Sequence, residues 1–192
     1  MKQILMFSVF LICLSGVFTI SANAQNMPQT TTTQTVEANP NDVNSVDAII
    51  TAVYDVISGD AGVKRNWDRF RSLFHPSARL IPTGKNPQTG VVVARSLTPE
   101  DYITRSQSVL EKDGFHEREI ARQTQSYGNI VHVFSTYEAK RKLSDEKAFL
   151  RGINSFQLFN DGKRWWVMTI FWNPETPENP IPKKYLKTKK EK

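Results

Sequence analysis

Cysteine is almost missing from this 192-residue chain: Cys13 lies in the N-terminal apolar run and none follows it. Disulfides, zinc–thiolate sites and cysteine nucleophiles are thereby excluded from everything beyond that run. Histidine is nearly as scarce. His75, His116 and His132 show no metal-ligand spacing, and no acidic cluster replaces them, so no metal and no cofactor are expected. There is no Gly-x-Ser-x-Gly elbow, no phosphate-cradling glycine-rich loop and no dinucleotide fingerprint. Past Ile20 no apolar run reaches membrane-spanning length.

The two ends of the chain carry addresses and charge rather than core. Lys2, the apolar run Ile4 to Ile20 and the small residues Ala22 and Ala24 read as a signal peptide over 1–24, cleaved before Gln25. An exported protein, periplasmic or secreted, with no stable membrane span after cleavage is the expectation. Residues 25–44 are mostly Thr, Gln, Asn and Pro, too polar to offset the entropy of ordering, and read as a disordered linker. A basic tail spans 183–192. Removing Lys2 and the six lysines and one glutamate of this tail from 25 basic and 19 acidic residues leaves 18 of each, so the body is neutral. A neutral body lacks the basic face that nucleic-acid binding needs, and no nucleic-acid partner is expected.

Between these ends, 45–182 is one domain. Val46, Ile49, Ile50, Val53, Tyr54 and Ile57 recur at helical spacing after Asn44-Ser45, and Gly59 closes the run. Trp67, Phe70, Leu73 and Phe74 repeat the spacing over a shorter helix ended by Pro76. Thr98-Pro99-Glu100-Asp101 supplies a cap, a first-turn proline and acids for a third helix that stops at Gly114. Short strands are expected over Ala78–Ile81 and Val91–Ala94. Longer ones follow over His116–Gln125, Asn129–Lys140, Phe149–Phe159 and Arg164–Trp172, the last two joined through Asn160-Asp161-Gly162 as a hairpin. Strict alternation along the last strand would set Trp166, Met168, Ile170 and Trp172 on one face and Trp165, Val167, Thr169 and Phe171 on the other. With both faces apolar, the outer one calls for a second copy of the chain or for the segment Asn173 to Pro182, and a homodimer through the outer sheet face is the expectation.

The corner Leu73-Phe74-His75-Pro76-Ser77-Ala78, the element order and the Asn154-to-Trp172 hairpin resemble the nuclear transport factor 2-like superfamily. That group includes ketosteroid isomerase, scytalone dehydratase and SnoaL-like polyketide cyclases. The resemblance covers about Val46 to Glu175. It implies an α+β fold, a cone-shaped curved antiparallel sheet packed against three N-terminal helices, and a pocket inside the cone. At the matching positions the isomerase's general base is replaced by Pro82, its oxyanion tyrosine by Ala52 and its protonated aspartate by Asn154. Tyr54, two residues past Ala52, is read as facing elsewhere. If Asn154 points inward, the resemblance puts Phe156, His132, Phe134, Thr136, Glu138, Met168 and Trp172 around a small apolar or aromatic ligand, with Asn154 as the orienting donor. The resulting expectation is ligand binding without turnover, because the wall lacks a carboxylate placed to take a proton. The alternative is a cyclase, dehydratase or isomerase-type enzyme on a small hydrophobic substrate, using Asn154 with Glu138 or His132. No catalytic residue is assigned.

Overall fold

The computed structural model describes residues 36–187. The expected signal peptide, the linker up to residue 35 and the tail from residue 188 lie outside the described residues. Four helices, α1 (Pro40–Val43), α2 (Val46–Ile57), α3 (Trp67–Leu73) and α4 (Pro99–Asp113), accompany six strands. The strands are β1 (Phe74–Lys85), β2 (Val92–Ala94), β3 (His116–Tyr127), β4 (Ile130–Lys140), β5 (Leu150–Asn160) and β6 (Trp165–Pro174). They form one curved, unclosed sheet in the order β2-β1-β6-β5-β4-β3.

Local chemistry accounts for the helix ends. Ser45 caps α2 by accepting from the Ala48 amide, and Thr98 and Asp101 close a reciprocal capping box on α4, whose end at Gly114 takes a positive φ of 72°. α2 buries Ile49, Ile50, Ala52, Val53, Tyr54, Val56 and Ile57 and leaves the stripe Asp47, Thr51 and Asp55 exposed. It is packed between α3 and the sheet, which is why the rest of its circumference is apolar. Phe70 of α3, fully buried, stacks on Tyr102 of α4 with ring centroids 5.4 Å apart.

Four features depart from the sequence reading. β1 begins at Phe74, directly where α3 ends, and runs through His75-Pro76 to Lys85, where the sequence reading has Phe74 in the helix and a strand over Ala78–Ile81 alone. β1 pairs with β6 in parallel, Leu80 opposite Ile170 and Pro82 opposite Trp172, so the sheet is mixed rather than antiparallel throughout. The linker expected over 25–44 does not hold for its last residues. Asn39 caps α1, and Asp42, 8% exposed, receives two hydrogen bonds from Arg69 at 2.8 and 3.0 Å. An ion pair with a residue 27 positions away orders a segment whose composition promised nothing. Finally, β6 carries a bulge: Gln157 faces Thr169 while Leu158 faces Val167, leaving Met168 without an opposite number. The extra residue shifts the alternation, so Val167 and Ile170 are both buried on the helix side.

The outer face of the sheet is partly covered by the chain's own C-terminal segment. The Thr136 hydroxyl donates to the Tyr185 carbonyl at 2.6 Å, and the Phe134 and Tyr185 rings meet edge to face at 4.9 Å. A second copy would find the uncovered remainder, which includes Phe171 and Ile130.

Candidate functional site

β5 presents Gly152, Asn154, Phe156 and Leu158 to the helices, as alternation from Asn154 requires. β4 is registered against it with Val133 opposite Phe156, Ser135 opposite Asn154 and Tyr137 opposite Gly152. Residues opposite one another in an antiparallel pair share a face, so Val133, Ser135 and Tyr137 point inward. His132, Phe134, Thr136 and Glu138 therefore point to the outer face, which corrects the expectation that they line the pocket. The His132 ring meets the Ser155 hydroxyl at 3.0 Å there, and Glu138 pairs with Arg118. Met168 sits at the bulge, outside the lining of the interior cavity. Of the expected pocket residues, the fold brings together Asn154, Phe156 and Trp172.

The interior cavity measures about 120 Å³ and is walled by aromatic and aliphatic side chains of α2, α3, α4, β1, β4, β5 and β6 and by Phe115, which precedes β3. One carboxyl enters it, that of Glu117 on β3. The sequence places Glu117 in the polar run His116-Glu117-Arg118-Glu119, which reads as a solvated strand start or as a partner for surface arginines. Its neighbours do behave that way: His116 binds Asp60 at 2.9 Å, and Arg118 reaches Glu138. Glu117 alternates inward. Its carboxyl lies over Asn154, whose Nδ2 donates to Oε1 at 3.2 Å.

Burial pushes the Glu117 carboxyl up to about 8, against the smaller downward pull of the Asn154 hydrogen bond. Among the described residues no arginine, lysine or histidine is ion-paired with it. Burial, with the Glu117 charge as second cause, holds the phenols of Tyr54, Tyr102 and Tyr137 above the ordinary tyrosine range.

Tyr54 also belongs to the site, contrary to the reading that turned it away. Its hydroxyl accepts from Asn154 Nδ2 at 3.1 Å and lies 2.7 Å from the Ser135 hydroxyl, which donates to Glu119 Oε1 at 2.6 Å. With the serine proton committed to the carboxylate, the tyrosine proton must go to the serine oxygen. The Tyr54 oxygen thus faces the cavity side as an acceptor. Arg122 holds Glu119 from behind through its Nε at 2.7 Å and extends the chain towards Asp47. A signal for Tyr54 existed in its helical phase, since Ile50, Tyr54 and Ile57 share one stripe, and that stripe is the one facing the sheet.

Gly152 makes room for the Tyr137 ring. A Cβ there would stand 2.5 Å from the Tyr137 hydroxyl oxygen and 2.6 Å from the Asn173 carbonyl oxygen. Gly152→Ala is accordingly expected to cost about 1–3 kcal/mol and to push Tyr137 into the cavity; thermal unfolding checks this, and an unchanged midpoint would sink it.

Outside the cavity, a groove of about 700 Å³ runs along the edge strand β3, and Tyr54 and Glu117 line both spaces. Glu117 thereby stands between the interior and this open groove. Among the described residues no group of three or more His, Cys, Asp or Glu is placed to hold a metal ion, and no helix is long and apolar enough to cross a membrane.

No protein-family model matches the chain, and no curated protein does. Solved structures are similar to it. One is an NTF-2 like protein of unknown function from Silicibacter pomeroyi DSS-3, at 10% identity and TM-score 0.46 over 69% of this chain and 94% of that one. Another is a candidate ketosteroid isomerase from Parabacteroides distasonis, at 15% identity and TM-score 0.47 over 76% and 99%. A third is a nuclear transport factor 2-like superfamily protein from Salmonella enterica, at 10% identity and TM-score 0.44 over 70% and 85%. None of these neighbours carries a reaction over to this chain. By its own element order, its Phe74-to-Ala78 corner and its curved six-stranded sheet, the chain resembles the nuclear transport factor 2-like superfamily.

Proposed function

We propose that this domain binds one small, largely apolar molecule in its interior cavity, oriented by Asn154 and Glu117, and that Glu117 exchanges a proton with it. The observation that carries the reading is the unpaired Glu117 carboxyl inside an aromatic wall. An acid whose affinity for protons is raised towards neutrality can both give and take one at physiological pH. The wall therefore does offer a group for proton transfer, on a different strand from the one the resemblance implied, which removes the ground for expecting binding without turnover. Size narrows the ligand. A cavity of about 120 Å³ is smaller than the roughly 150 Å³ that accepts benzene in an engineered core, so the hydrocarbon part of the ligand is at most a single ring, its polar group lies at Glu117 where the cavity meets the groove, and a fused polycycle does not fit. We further propose that the protein works outside the cytoplasm, on the strength of residues 1–24.

Native mass spectrometry of protein purified from its own host tests the reading. A co-purifying adduct of small mass is expected, and Asn154→Leu, which deletes the donor to both Glu117 and Tyr54, should abolish it. An adduct that survives Asn154→Leu unchanged places the ligand elsewhere.

A further inference from the structure

The interior cavity is electrostatically one-sided. Seven of its fourteen lining residues are aromatic, none is Lys, Arg or His, and Glu117 is the single carboxylic acid. The two arginines nearest in sequence are engaged elsewhere, Arg118 with Glu138 and Arg122 with Glu119. Trp172 and Tyr102 meet edge to face at 80° and Tyr54 and Phe156 at 67°, so the rings of the wall are turned in more than one direction.

We infer that the ligand of this cavity is a small organic ammonium ion, its charge met by the Glu117 carboxylate and its hydrocarbon part by the surrounding rings. The inference rests on the reading of the cavity as a ligand site and names the ligand class. An anion would confront Glu117 with no counter-charge in the wall. A neutral molecule would leave the carboxyl either protonated or as a buried, uncompensated charge. A cation cancels the desolvated charge and gains from ring faces as well, a combination used for ammonium recognition wherever aromatic walls meet a carboxylate. Binding should also ionise Glu117 and release a proton near neutral pH. The other groups facing Glu117 are the phenols of Tyr54 on α2, Tyr102 on α4 and Tyr137 on β4 and the Asn154 amide on β5. Asp55, His116, Arg118, Glu119, Glu138 and Lys140 surround the groove side. The three buried phenols hold their protons above the ordinary tyrosine range and do not contribute.

Isothermal titration of the chain with benzylamine, benzyl alcohol and benzoate, three probes of one shape and three charges, decides the matter. Benzylammonium is expected to bind at least about tenfold more tightly than benzyl alcohol, benzoate not to bind, and proton release to be visible as a dependence of the heat on the buffer's ionisation enthalpy. Glu117→Gln should erase both the preference and the proton release. A smaller preference, an equal or better fit for the alcohol, or a preference that survives Glu117→Gln overturns the inference. The comparison of probes on the unaltered chain is decisive even if the variant does not fold. If benzyl alcohol binds and benzylamine does not, the ligand site stands and the ammonium inference falls; if none of the three binds, both fall.

Discussion

Replacing Arg65 with methionine is expected to cost about 3–5 kcal/mol of folding stability, one of the two largest effects the structure predicts. Arg65 is 6% exposed and its guanidinium is spent on backbone carbonyls. Nε donates to Ile57 at 2.9 Å, Nη2 to Gly59 at 2.7 Å and to Leu110 at 2.9 Å, and Nη1 to Val63. Ile57 is the last residue of α2 and Leu110 lies in the last turn of α4. These are carbonyls that a helix cannot satisfy itself, at the negative ends of two helix dipoles. One cation therefore caps two helices at once and ties together the elements that carry Tyr54 and Tyr102. Methionine restores the bulk and leaves these four carbonyls, and that of Asp60 reached by Nη1 at 3.5 Å, without that donor. Lysine keeps the charge, but a single ammonium with three donors cannot span both helix ends, so Arg65→Lys should recover less than half of the loss. Urea unfolding measures both variants, and a cost below about 1 kcal/mol for Arg65→Met would show the network to be dispensable.

The second large effect concerns pH. The Glu117 carboxyl has a folded-state pKa of about 8 against an ordinary value of 4.5. Between these values the folded chain holds a proton that the unfolded chain has lost, so stability is greatest below the lower value and falls as pH rises, levelling off above the upper one. The slope contributed by this one group is at most about 1.4 kcal/mol per pH unit. Glu117→Gln keeps the shape and can still accept from Asn154 but has nothing to ionise. Its unfolding free energy should therefore run flatter between pH 5 and 8, crossing that of the unaltered protein and exceeding it at pH 9. All other carboxylates are shared by the two proteins, so the difference between their curves isolates Glu117. Parallel curves at pH 5, 7 and 9 would mean that solvent from the groove already hydrates the carboxylate.

How far these residues could be read in advance depended on the range of the signal. The Thr98-to-Asp101 cap, the Gly114 stop, the Ser45 cap and the Asn160-Asp161-Gly162 turn act over three or four residues, and the elements they bound appeared where the chain announced them. Asn154 was also legible as an inward residue, because the alternation of β5 is clean. The partner strand was not. β4 carries Val131, Val133, Tyr137 and Ala139 on one face and Ile130 and Phe134 among His132, Thr136 and Glu138 on the other, so the pattern leans only weakly to the first face and the register against β5 decides the phase. A one-residue error there exchanged His132, Phe134, Thr136 and Glu138 for Val133, Ser135 and Tyr137. The β6 bulge at Met168 and the parallel pairing of β1 with β6 likewise depend on the neighbouring strand, as does the difference between Glu117 and the three polar residues around it.

Composition and local chemistry thus sufficed for the class of fold and for the bounds of α2, α4 and the β5–β6 hairpin, because each follows from a few adjacent residues. Which side chains share the cavity came from register and packing, forces between residues 37 to 100 positions apart such as Asn154 with Glu117 and with Tyr54. A carboxyl written among charged neighbours comes to stand half-buried at the cavity wall, against Asn154 of β5 and beside Tyr54 of α2, only through the fold.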